Sequence, residues 1–272
     1  MEELDQGTVL FGLRSEKYPN SRCFGIIITA SCDIANCKVS KLYCLQAVSA
    51  KEWFCTECGY NQVYEQKIKN SLKNFETVAA QHGLDAASLQ LFSREEVMQI
   101  IDSEVSKPKD RSTVQKAYDQ FCVYCRPEMA HEDREKAIRS DTKPAISFLD
   151  KVGKSEIFHY YYLPKVAYLE SEEKDDGLIV DFQEIESLSM KDALTIVTPG
   201  IDHLLLPHYP KEEQERFKKM FWLTSDDDFV GIEGKISSPW REHLIQRFSH
   251  SFARIGLDGA TSEDHTKLVG SI

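Results

Sequence analysis

No stretch of this chain approaches the roughly 18 consecutive apolar residues that a membrane-spanning helix needs. Its opening MEELDQGTV has neither the basic nor the apolar segment of a secretory leader. Neither a membrane protein nor a secreted one is expected, and the reading is a cytoplasmic protein. Basic residues are also in short supply: 33 Lys and Arg stand against 44 Asp and Glu, for a net charge of −11. Broad binding to nucleic acid draws most of its affinity from neutralising phosphates, so that class is disfavoured unless a local basic surface overrides the balance. A protein partner suits the charge better. Internal repeats and low-complexity segments are missing too.

What is present is an ordinary globular composition, 42% apolar and 28% charged. At 272 residues the chain is long enough for one large domain or a domain carrying a sizeable insertion. The first fifty residues read as strands: GTVLFGL, RCFGIIITAS and KVSKLYCLQAVSA are rich in β-branched and aromatic residues and are separated by the turn-forming KYPNS and DIANC. From about Tyr60 to Gln120 apolar residues recur at helical spacing, with Gly83 as a stop and Ser93 with Glu96 as a capping box before Val97. Strand signals return in SFLDKVG, EIFHYYYL and GLIVDFQEI. A charged amphipathic helix follows over Tyr209 to Met220. The last element begins at Ser238-Pro239, carries the apolar stripe Leu244, Ile245, Phe248, Phe252 and Ile255, and stops at Gly256.

This order predicts an α+β fold. A small SH3-like β-barrel or curled antiparallel sheet is expected over residues 1–54 and 145–205, interrupted by a helical insertion over 55–125. A C-terminal helical segment over 206–258 and a flexible tail over 259–272 complete the chain.

Eight cysteines in a reducing compartment point to metal ligands, nucleophiles or small core residues rather than disulfides. CTECG (55–59) and CVYCRP (122–127) are two CxxC knuckles flanking the helical block. A two-residue gap lets both sulfurs of a knuckle face one tetrahedral ion, so Cys55, Cys58, Cys122 and Cys125 form a candidate structural Zn²⁺ site closing the base of the insertion. A redox CxxC lacks the βαβ context it requires here. Cys23, Cys32, Cys37 and Cys44 have no ligand spacing and read as core residues. Asp33, beside Cys32, reads as the turn residue where a buried strand ends. Asp226, Asp227 and Asp228 read as a solvated loop.

The segment GTVLFGLRSEKYPNSRCFGIIITASCDIANCKVSKLYCLQAVSA resembles the opening of the MazF/PemK-like toxins, with a Gly-x-Val strand, a loop ending in an arginine, an apolar strand running into an Asp/Asn turn, and a further strand ending in a hydroxyl residue. The resemblance spans about the first fifty residues. It implies the SH3-like barrel and, as in many members, metal-independent cleavage of single-stranded RNA. Arg22 and Ser49 match that family's catalytic pair, although no proline follows Arg22 and this chain is more than twice as long. Such an arginine would stabilise charge on the phosphate under attack. Residue chemistry alone offers alternatives: Arg22 as a loop arginine paired with a carboxylate, and Ser49 as a helix N-cap with Glu52 completing a capping box. The ending SSPWREHLIQRFSHSFARIGL is similar to that of uncharacterised prokaryotic proteins near anti-phage defence genes.

His243, Arg247, His250 and Arg254 fall at i, i+4, i+7 and i+11 of the C-terminal helix and so share a face able to contact phosphate or an acidic partner. The competing reading is a solvated face. Together these features predict a zinc-stabilised, non-enzymatic or regulatory protein-interaction component of a prokaryotic defence or toxin-type system. A MazF/PemK-like endoribonuclease and an RNA- or DNA-binding module using the basic helical face are the alternatives.

Overall fold

The three N-terminal apolar runs form β1 (Thr8–Leu13), β2 (Cys23–Ile27) and β3 (Lys41–Ser49), with a short helix α1 (Ser31–Ala35) where a turn is expected. The computed structural model describes residues 4–125, 130–169, 177–198 and 200–255, the side chains of 125 and 253–255 excepted. After β3 the described residues form seven helices: α2 (Ala50–Cys55), α3 (Glu57–Gln81), α4 (Ala86–Leu89), α5 (Arg94–Glu104), α6 (Pro108–Cys125), α7 (His131–Ser140) and α8 (Lys143–Gly153). The chain then forms β4 (Tyr160–Pro164), β5 (Gly177–Ser189), α9 (Met190–Val197), β6 (Ile201–Asp202), α10 (Lys211–Met220), β7 (Phe229–Lys235) and α11 (Trp240–Ile255). It divides into two compact units. One holds the residues up to Ala50 and from Lys151 onward; the other is Lys51–Asp150.

The first unit is built on a seven-stranded antiparallel sheet in the order β4-β5-β3-β2-β1-β7-β6. The fold is thus α+β as expected, but the sheet is open, with β4 and β6 as its edges rather than a closed barrel. Two strands account for the difference. β7 lies in the segment expected to be helical and pairs with β1, and β6 extends the sheet by one more ladder. Val9, Ile26, Leu45, Val180 and Leu163 form a core on which α11 lays Leu244, with Trp240 and Phe248 against it.

Two irregularities shape the sheet. In β1 the register steps from Phe11↔Phe24 to Leu13↔Cys23, leaving Gly12 as the extra residue at φ +90°. Only glycine fits there, because a Cβ would stand 2.7 Å from the Phe229 carbonyl oxygen. Between β3 and β5 the register jumps from Leu45↔Ile185 to Gln46↔Asp181, so residues 182–184 bulge from the ladder. Bulges of this kind re-aim side chains and recur beside functional sites.

The second unit extends to Asp150 rather than ending at 125, because α7 and most of α8 belong to it. SFLDKVG is part of α8 and not a strand: Ala145, Phe148 and Val152 recur at helical spacing and are all buried. α3 and α6 form an antiparallel hairpin whose rings interlock, Phe75 stacking on Phe121 with centroids 5.2 Å apart. Val97, Ile101, Val114 and Leu89 complete that core. The capping box of Ser93 and Glu96 starts α5 as expected. A second cluster stacks Tyr60 on Tyr64 at 4.7 Å and Tyr64 on Tyr124 at 6.1 Å. Trp53, fully buried, stacks on Phe148 at 5.0 Å. The expected tail over 259–272 and the Gly256 stop lie outside the described residues.

Candidate functional site

The first CxxC knuckle spans the α2–α3 junction. Cys55 ends α2, Thr56 caps α3 by accepting the Gly59 N–H at 3.0 Å, and Cys58 sits in the first helical turn. Burial, then the carboxylates of Glu52 and Glu135, push the Cys55 thiol up to about 11. A bound cation would have to supply the stabilisation of a thiolate there. Cys122 and Cys125 lie in the last turns of α6; Cys122 packs against the hairpin core, and the Cys125 side chain is outside the described residues. The Tyr64–Tyr124 stack fixes the helix register. Cys58 is six residues from Tyr64 in one direction and Cys122 two residues from Tyr124 in the other, an axial separation of about 12 Å at 1.5 Å per residue. Zinc–sulfur bonds reach ~2.3 Å. Among the described residues, no group of three or more His, Cys, Asp or Glu is placed to hold a metal ion.

Of the remaining cysteines, Cys23 and Cys44 are in the core as expected, whereas Cys32 and Cys37 are exposed. Desolvation and the neighbouring Glu186 push Cys44 up to about 12, which makes it inert. Cys32 Sγ lies 3.7 Å from Asp33 Oδ1 on the surface of α1, so Asp33 sits in a helical turn past the end of β2.

The β2–β3 ladder ends at Phe24↔Ala47, so Arg22 lies just before β2 and Ser49 two residues past the last residue of β3 in that ladder. The guanidinium, however, turns the other way. It crosses the Phe11 ring of β1, 5.1 Å from its centroid, and pairs with Asp228 at the head of β7. Asp228 is not in a solvated loop but 1% exposed, and it accepts the Thr224 N–H at 2.6 Å, the Thr224 hydroxyl at 2.8 Å and the Ser225 N–H at 2.7 Å. Burial raises its pKa, but these hydrogen bonds and the Arg22 charge outweigh that, and the net shift is downward. Ser49 ends β3 opposite Leu178 of β5.

A second buried carboxylate, missed in the sequence, anchors the same β1–β2 loop. Asp181 is 1% exposed and sits at the β3–β5 bulge. One of its oxygens, Oδ2, accepts both the Lys17 ammonium at 2.6 Å and the Tyr18 hydroxyl at 2.7 Å, while Oδ1 accepts the Gln183 N–H at 3.0 Å. Lys17 also lies over the Tyr18 and Tyr160 rings, 5.8 and 5.9 Å from their centroids. The sequence signal was available: an aspartate inside the apolar run GLIVDF must be paired if it is buried. Beside it, Gln46 is fully buried and donates to the Arg14 carbonyl at 3.1 Å. Arg14, Glu16, Glu186 and Lys219 line a recess of about 330 Å³ of mixed charge. Burial and then the neighbouring Glu184 and Glu16 raise the Glu186 carboxyl.

The basic face of α11 comes together largely as its spacing predicts. His243, Arg247 and His250 line one recess of about 250 Å³. The Arg254 side chain falls outside the described residues. The Tyr161 hydroxyl lies 2.9 Å from His243 Nδ1. Burial lifts the Tyr161 pKa to about 12, so the phenol is neutral and can donate to Nδ1, which leaves Nε2–H as the ring's remaining donor. No helix among the described residues is long and apolar enough to cross a membrane. No protein-family model, no curated protein and no solved structure matches the chain.

Proposed function

We propose that the protein is a non-enzymatic interaction component, a zinc-stabilised regulatory partner in a prokaryotic system of the toxin or defence type that the resemblances imply. The observation that carries this reading is a set of large apolar side chains left in solvent around the β6–β7 edge. Leu194 of α9, Leu204 and Leu205 of the 3-10 turn after β6, and Phe229 of β7 are 50, 59, 45 and 43% exposed. Single exposed apolar residues are ordinary; several on adjoining elements mark a surface for another protein. The pairing of Arg22 with Asp228 supports the same reading, because it gives the candidate catalytic arginine a structural task.

The nearness of Arg22, just before β2, to the β3 end that carries Ser49 supports one second reading, the metal-independent endoribonuclease. One comparison separates them. Affinity purification of the full chain from its native host is expected to retain a stoichiometric protein that a Leu204→Glu/Leu205→Glu variant loses while keeping its fold. In parallel, single-stranded RNA in EDTA is expected to remain intact. RNA cleavage that disappears in Arg22→Ala, with no retained partner, overturns the first reading in favour of the second.

Zinc enters this proposal as a structural ion of the helical unit. It requires the end of α6 to approach the α2–α3 junction more closely than the Tyr64–Tyr124 register describes. Metal analysis of the reduced protein beside Cys55→Ser and Cys122→Ser is the test. One zinc per chain, lost in both variants, is expected if the knuckles share an ion; zinc lost in only one variant, or none in the wild type, removes it from the proposal.

A further inference from the structure

The arginines whose side chains are described are engaged almost without exception. Arg22, Arg94, Arg139, Arg216 and Arg241 each pair with a carboxylate. Arg14, Arg111 and Arg134 donate to backbone carbonyls. In a chain with 44 acidic residues this is what free competition for partners should produce. Arg247 is the exception: among the described residues no carboxylate or carbonyl accepts from it, although it is partly buried on α11. Part of the Arg247 side chain is covered by the fold while its guanidinium donors stay uncommitted, which leaves them available to an acceptor outside the described chain.

The surroundings say what kind of partner. Ser155, Phe158, His243, Gln246, Arg247 and His250 line the recess, and among the described residues no acidic one does. The groups that face Arg247 from α11 are His243 and His250. From β4 it is Tyr161, held neutral, and from the loop before β4 the Ser155 hydroxyl and the Phe158 ring. Every polar group there can donate a hydrogen bond, and the fixed fork of an arginine matches two oxygens of a tetrahedral oxyanion. At about 250 Å³ the recess lies below the ~300–1,000 Å³ of sites that enclose a drug-sized ligand, so it suits a head group rather than a whole molecule. Phe158, 38% exposed, places an aromatic ring in the lining of the recess.

We propose that the α11 recess binds a phosphoryl group, with Arg247 as its bidentate anchor and His243, His250 and Ser155 as the surrounding donors. The group is carried either by a small phosphate ester or by a nucleic-acid strand. The site stands apart from the protein-partner reading, which rests on different elements, so either can fail alone.

Calorimetric titration of the full chain at low salt tests this, with inorganic phosphate, adenosine 5′-monophosphate, a short single-stranded oligonucleotide and glutamate as separate probes. Saturable binding of at least one phosphate-bearing probe, one per chain, is expected to weaken about tenfold or more in Arg247→Gln, the loss of a charge-assisted fork. It should weaken partially in Arg247→Lys, which keeps the charge without the fork. Arg241→Gln, a change at an arginine already paired with Glu242, should leave binding alone. Binding of the monophosphates assigns the small ester as the source, and binding of the oligonucleotide only assigns the strand. Arg247 donates no hydrogen bond to the described fold, so Arg247→Gln should melt like wild type; His250→Gln, with the same expected direction, serves if it does not. The proposal is overturned if no phosphate probe saturates, if Arg247→Gln binds as wild type does, or if glutamate competes on equal terms.

Discussion

Replacing Asp181 by asparagine should destabilise the sheet unit by about 3 kcal/mol, the usual cost of stripping one partner from a buried, hydrogen-bonded charge pair. For a unit of this size that corresponds to a fall in melting temperature of roughly 6–12 °C. The carboxylate is 1% exposed, and it is the common acceptor for Lys17 and Tyr18, themselves 23% and 1% exposed. Asparagine keeps the shape but turns the acceptor for an ammonium into a neutral amide. Lys17→Met should cost less, because Asp181 then still accepts from Tyr18 and from the Gln183 N–H. The double variant should recover part of the sum, since neither partner is left charged without the other. Thermal melts of the four proteins make a double-mutant cycle; an additive result would mean that the ion pair contributes nothing and that Asp181 holds the loop through Tyr18.

The second large effect is at Asp228. Asp228→Asn should cost about 2–3 kcal/mol at pH 7, because it removes the charge that accepts from Thr224, Ser225 and Arg22 together. Its folded pKa is lowered, so the unfolded chain holds the proton more tightly than the folded one. The stability this group supplies is therefore present above the unfolded carboxylate value of about 3.9 and is lost as the pH falls through the lower folded value. Glu186 acts with the opposite sign. Its folded pKa is raised, so its contribution is present below the ordinary glutamate value of about 4.3 and is lost as the pH rises through the folded value. Urea denaturation from pH 3 to pH 7 should thus show Asp228→Asn losing its advantage-over-acid slope, its deficit against wild type narrowing toward pH 3, while Glu186→Gln gains relative to wild type as the pH rises. A deficit at Asp228→Asn that is the same at both ends of the range would show that the shape of the Thr224–Asp228 turn matters and its charge does not.

These two carboxylates show where the sequence could be read and where it could not. β1, β2 and β3 were legible because their β-branched and aromatic residues are dense and their boundaries carry turn residues. β7 was not, since FVGIEGK contains two glycines and follows three aspartates, and what makes it a strand is its ladder with β1, more than two hundred positions away. SFLDKVG was ambiguous on its own: a short apolar run fits either period, and only the helical recurrence of Ala145, Phe148 and Val152 decides it. The candidate sites divide in the same way. Spacing along one helix gathered His243, Arg247 and His250, whereas Ser155 and Phe158 reach that recess through the tertiary fold. Arg22 could be anticipated to meet a carboxylate, but nothing local names Asp228 among 44 acidic residues.

The position of β7 bears on how the molecule is made. β1 lies between β2 and β7, and its β7 side is paired from Thr8 to Phe11 with residues 231–235. On a ribosome, β1 and β2 emerge within the first thirty residues, yet the strand that covers the far side of β1 appears only after another two hundred. At ~5–20 residues per second that is an interval of roughly 10–40 seconds. Throughout it β1 is a nascent edge, with unpaired N–H and C=O groups and the buried side chains Val9 and Leu10, open to any passing strand. Closing so distant a pairing also makes the final docking slow, since contacts of large sequence separation form late. The helical unit, whose α3–α6 contacts are local by comparison, can complete itself while that edge is still waiting.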